Sequence, residues 1–182
     1  MLNHLWIWSG RETAGPAVAD LLSTLMRVDA HSRVAVMVLV LGPRLRGRLH
    51  LAKCLQLATV GDLAAEVAEG LGGPLPGLVG EHADSVSREA RLIETLRRLS
   101  TQMELNRISA YRWSEEDRRR LFDPDYLARR CAVDPLLAEL CDAVWSQGVE
   151  RLKRTGENPA EVALDVMGYR REDGGAAACR SR

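Results

Sequence analysis

The sequence predicts an α+β protein in which helix dominates: a small β-α-β-β-α unit over residues 1–75, then a helical unit over residues 84–168. Three observations carry that expectation. The run Arg33–Leu41 is dense in valine and apolar on both faces, as a central strand is. Residues 44–51 alternate, with Arg44, Arg46, Arg48 and His50 on one face and Leu45, Leu49 and Leu51 on the other. From Asp84 onward, apolar residues recur at helical spacing between residues that cap helices.

Taken from the N-terminus, His4–Ser9 reads as a short strand built on Leu5, Trp6, Ile7 and Trp8 and closed by Gly10. Residues 10–15 form a loop. Pro16 suits the first position of a helix, where the missing N–H leaves no bond unmade. Val18, Leu21, Leu22 and Leu25 then predict a helix over 16–28. Asp29–Ser32 reads as a turn, Arg33–Leu41 as a strand, and Gly42-Pro43 as its end. The alternating stretch that follows is a half-exposed hairpin partner of that strand. Thr59 and Asp62 cap a helix whose apolar face is Val60, Leu63, Ala64, Val67 and Leu71. The glycines and prolines of residues 70–80 mark a boundary. This order of elements, completed by a strand near Leu78-Val79, resembles the split β-α-β arrangement of ferredoxin-like domains.

Beyond the boundary, residues 85–110 read as one long helix. Its Leu92, Leu96, Leu99 and Met103 recur at four-three-four spacing and form a seam for a partner helix. Ser114 with Asp117 caps a helix, and Asp123-Pro124, Asp134-Pro135 and Asn158-Pro159 each pair a capping side chain with a first-turn proline. Helices follow near 115–121, 124–131, 135–155 and 159–167, with Gly156 and Gly168 as stops. Residues 170–182 are small, polar and unpatterned, and read as a disordered tail.

Composition excludes several classes. At 46% hydrophobic and 27% charged the chain is neither intrinsically disordered nor a disulfide scaffold. Lys+Arg and Asp+Glu are both 25, and a zero net charge weighs against a dedicated nucleic-acid binder. Lys53 and Lys153 are the only lysines, so the basic character is arginine. Cys54, Cys131, Cys141 and Cys179 are far apart and read as small hydrophobes in a reducing, cytoplasmic setting. The longest apolar run, Val34–Leu41, falls far short of the ~18 residues a membrane span needs.

No catalytic, metal or cofactor constellation is legible. His4, His31, His50 and His82 stand apart from one another. The loop Gly10–Pro16 sits where a phosphate loop would, yet Pro16 and Ala17 occupy the positions where lysine and serine or threonine are needed. The expected function is therefore a non-catalytic accessory or adaptor protein that contacts another protein, or its own copy, in a larger assembly. Trp6, Trp8, Leu92, Leu96, Leu99 and Met103 are its partner-binding candidates. The alternative is a nucleic-acid-binding subunit using Arg44, Arg46, Arg48, Arg118, Arg119 and Arg120, although acids are interleaved with the later arginines. A nucleotide or anion binder at residues 10–16 is the third reading.

Overall fold

A computed structural model describes residues 16–61 and 63–166, and within them every regular element is helical. The α-helices are α1 (Pro16–Arg27), α2 (Ala30–Leu41), α3 (Leu51–Val60), α4 (Ala65–Leu71), α5 (Leu75–Ala83), α6 (Arg88–Arg107), α7 (Glu115–Phe122), α8 (Ala128–Cys131), α9 (Pro135–Arg154) and α10 (Pro159–Val166). Short 3-10 turns span Gly42–Arg44 and Ala110–Arg112. The expected β-α-β-β-α unit is absent from the described residues, and with it the ferredoxin-like arrangement. The strand expected at His4–Ser9, Trp6 and Trp8, the loop 10–15, Gly168 and the tail 170–182 lie outside them.

The Val-rich run is helix α2 rather than a strand. Val34, Met37, Val38 and Leu41 are buried, a spacing of three, one and three that places them on one helical face. Leu39, between them, is 56% exposed. A run apolar at nearly every position satisfies strand and helix templates alike. The alternating stretch is likewise no strand. Arg44 ends a 3-10 turn, residues 45–50 are irregular, and Leu51 opens α3. His50 caps that helix, its Nδ1 accepting from the Lys53 N–H at 3.2 Å. Thr59 sits in the last turn of α3, donating to the Leu55 carbonyl at 2.8 Å, and does not start a helix. Leu78-Val79 lies inside α5.

The later helices follow their caps. Ser114 and Asp117 form a reciprocal capping box on α7. The Asp134 side chain accepts from the Leu136 N–H at 2.9 Å and starts α9. Asp123 departs from this rule: its carboxylate accepts from the Asp125 N–H at 2.8 Å in a local turn, and helix resumes only at Ala128.

Helix α6 lies at the centre, packed by α2 and α3, by α5 and by α9; α1 rests on α9. Its Leu96, Leu99 and Met103 are fully buried and Leu92 is 8% exposed, so the seam meets the chain's own helices. Residues from α1, α2, α3, α6 and α9 enter one apolar cluster. A smaller cluster joins Ala110, Trp113, Leu121, Val149 and Leu152 where α7 meets the second half of α9. Each fully buried Leu or Met contributes roughly 1.5–3 kcal/mol.

One charge is sealed inside. Arg33 on α2 has no exposed surface. Its guanidinium donates to the Leu25 carbonyl (3.0 Å), the Val28 carbonyl (2.7 Å) and Ser100 of α6, and it pairs with Glu104. It thereby adds a donor to carbonyls at the end of α1, where the Leu25 carbonyl also accepts from the Val28 N–H at 3.1 Å, and ties α1 and α2 to α6.

Candidate functional site

A cavity of about 330 Å³ opens between residues 45–49, the first half of α6 and the α8–α9 junction. Its floor is Leu45, Leu49, Leu92 and Leu137. Its walls carry Arg88, Arg91 and Arg130, and Val133, 78% exposed, stands on its rim. An apolar floor beneath a cationic wall suits an anion that carries an apolar body.

The groove is built by residues that brace one another. Arg88 donates to the carbonyls of Arg46 and, at 3.4 Å, Arg48, which holds residues 45–49 against α6. Gly47 has φ +79°, a conformation that L side chains rarely adopt, and a Cβ there would stand 2.5 Å from the Arg88 guanidinium. Asp134, 5% exposed, accepts from the Arg46 N–H at 2.7 Å while it caps α9. Its two oxygens are therefore both engaged by backbone. A single carboxylate thus links the groove's loop to the helix behind it.

Charge is unevenly compensated. Lys53 pairs with Glu81 at 2.6 Å, Arg98 with Glu94 at 2.6 Å, Arg118 with Glu157 at 3.0 Å and Arg120 with Glu116 at 3.3 Å. Two of these contacts shift the titration of a partner. Hydrogen bonding to Lys53 holds the Glu81 carboxyl below its usual range, and hydrogen bonding to Glu157 raises Arg118. Around the groove the pattern reverses. Arg44, Arg46, Arg48, Arg88, Arg91 and Arg130 make no ion pair among the described residues. Asp134 is the one carboxylate lining the cavity. Other arginines also lack ion pairs, but Arg151 and Arg154 share their cavity with Glu150.

The sequence-predicted candidates separate accordingly. Arg44, Arg46 and Arg48 are exposed and border the groove through Leu45, Leu49 and Arg88. Arg118 is a structural clamp: besides Glu157 it donates to the carbonyls of Trp113 (2.5 Å) and Ala110 (3.0 Å). Arg119 is exposed beside Glu115, 3.9 Å away, and Arg120 lies over the Tyr126 ring at 5.8 Å. The groove at Arg88 and the cavity at Arg120 are lined by different residues, and neither takes in both arginine groups. Of the apolar seam, only Leu92 reaches the groove. Arg88, Arg91, Arg130 and Asp134 were not singled out as site residues from the sequence. No spacing rule marks them: Glu94 stands three places from Arg91 on the same helix yet pairs with Arg98, and Asp134 stands four places from Arg130 without forming an ion pair.

Among the described residues, no three His, Cys, Asp or Glu side chains approach closely enough to hold a metal ion. No helix among them is long and apolar enough to cross a membrane. No protein-family model, no characterised protein and no solved structure matches this chain.

Proposed function

We propose that this chain is a non-catalytic binding module that takes an acidic, apolar-anchored segment of another protein into the arginine-walled groove. The observation that carries the reading is the coincidence of a leucine floor with three lining arginines, Arg88, Arg91 and Arg130, that have no ion-pair partner among the described residues, beside a loop that carries Arg44, Arg46 and Arg48. Like charges held together with Asp134 as the one carboxylate among them raise the local potential, and an acidic partner relieves it on docking. The leucines supply the desolvated anchor that such an interface needs. A reducing, cytoplasmic location belongs to the same proposal, supported by Cys54, Cys131 and Cys141 being buried thiols outside any disulfide.

The nucleic-acid reading retains one supporting observation, the exposed and unpaired Arg44, Arg46 and Arg48. It makes no use of the leucine floor, and the cavity has no aromatic side chain on which a base would stack.

Selection from a random peptide-display library distinguishes the two. The protein is expected to enrich sequences that combine Asp or Glu with Leu, Ile, Met or Phe, and the Arg91→Glu/Arg130→Glu variant to lose them. A folded variant that retains the same peptides would contradict the assignment, as would enrichment of sequences without acids. Tight, salt-sensitive binding of a single-stranded oligonucleotide, abolished by Arg44→Ala/Arg46→Ala/Arg48→Ala, would instead favour nucleic acid.

A further inference from the structure

The arginines of the groove divide into those already engaged and those with donors to offer. Arg88 is taken up by the carbonyls of Arg46 and Arg48. Arg91 is exposed, and its one hydrogen bond is a long 3.5 Å contact to the Val86 carbonyl. Arg130 is half-buried, with its Nε sealed from solvent and without an acceptor. That sealed N–H is out of a ligand's reach, and the donors Arg130 has to offer are its terminal guanidinium N–H groups, which make no hydrogen bond among the described residues. Asp134 makes no bond to Arg130; its oxygens accept from the Arg46 and Leu136 N–H groups.

Two guanidiniums, one from α6 and one from α8, therefore line the same cavity with donors in excess. A carboxylate carries one charge and two oxygens, which one guanidinium fork satisfies. A phosphate monoester carries about −1.5 to −2 charges and three acceptor oxygens, which match two. Resting on the protein-binding reading above, we infer that the groove takes a phosphorylated side chain of its partner. Arg91 and Arg130 clamp the phosphate. Arg88 is a positioning residue that holds the loop, and the leucine floor receives a neighbouring apolar side chain.

The test uses three pools of short peptides with degenerate flanks and a fixed central phosphoserine, glutamate or serine, passed over the immobilised full chain. The phosphoserine pool should be retained about tenfold better than the glutamate pool. Its retention should weaken as pH falls through about 6, where phosphate gains its second proton. Arg91→Ala and Arg130→Ala should each lose about tenfold, while Arg112→Ala, exposed and unpaired elsewhere, should change nothing. Arg91 is a surface residue, so its variant keeps the test valid even where Arg130→Ala fails to fold. Equal retention of the phosphoserine and glutamate pools, both lost on Arg91→Ala, would overturn the phosphate inference and leave the protein-binding reading standing. Retention of phosphoserine untouched by both substitutions would overturn the clamp. Retention of none of the pools would overturn the inference together with the reading beneath it.

Discussion

At the residue scale, two positions carry more than their type suggests. Arg33 is the fullest case, because a guanidinium with no exposed surface organises the ends of two helices. Removing it takes a donor from the Val28 carbonyl and leaves the Leu25 carbonyl with only the Val28 N–H, while half-exposed Glu104 is rehydrated. Arg33→Ala should therefore lower unfolding free energy by about 3 kcal/mol in urea titration. Arg33→Lys should recover little of it, since an ammonium cannot span the same set of acceptors. A wild-type midpoint in either variant would contradict the clasp. Gly47 is the second position. Gly47→Ala forces a side chain into a left-handed backbone, at a cost of about 1–2 kcal/mol. The new methyl also displaces Arg88, so the variant should lose groove binding beyond its loss of stability. Unchanged affinity would show that the loop does not shape the site.

At the element scale, Asp134 couples two functions, capping α9 and holding the groove's loop through Arg46. Asp134→Ala should cost about 1–2 kcal/mol and raise proteolytic cleavage within 45–50, read by limited digestion. Cleavage elsewhere, with that loop intact, would argue against the link. The elements themselves were unevenly legible in the sequence. Helices α7 and α9 are legible because Ser114 and Asp134 act through short-range bonds that a sequence displays directly, and α6 because Leu92, Leu96, Leu99 and Met103 recur at helical spacing. Helix α2 is not, since valine favours a strand locally and only its position against α6 decides otherwise. Yet the spacing of Val34, Met37, Val38 and Leu41 held the helical answer, obscured by the exposed Leu39 between them. The alternation of residues 44–51 misled for a related reason. Leu45 and Leu49 point inward from an irregular loop whose course is fixed by Arg88 and Asp134, residues 40 and more places away. That tertiary bracing is invisible to local periodicity, and so was the groove it creates.

At the scale of the whole molecule, net neutrality conceals segregation. Lys53, Arg98, Arg118 and Arg120 are matched with acids, whereas Arg88, Arg91 and Arg130, which line one groove, are in no ion pair among the described residues. Acid stability follows from the paired carboxylates. Burial pushes the Glu104 carboxyl up, but Arg33 and Arg107 outweigh it and hold it below its usual range; Lys53 does the same for Glu81 and Lys153 for Glu150. A depressed carboxyl contributes stability that is complete above its unfolded pKa of about 4.3 and is lost as pH falls through its lower folded value. Thermal midpoints should therefore hold steady from neutrality to about pH 5 and decline below about pH 4. A midpoint that rose on acidification would contradict the sign. Binding at the groove should, in contrast, weaken with salt, because its walls are charged and its rim is open to solvent.

The central claim is that this groove is where the partner docks. Methyl chemical-shift mapping with the display-selected peptide tests it most directly. Perturbations centred on Leu45, Leu49, Leu92, Leu137 and Val133 are the predicted result. Shifts centred instead on the exposed Val67 and Leu71 of α4 would contradict it.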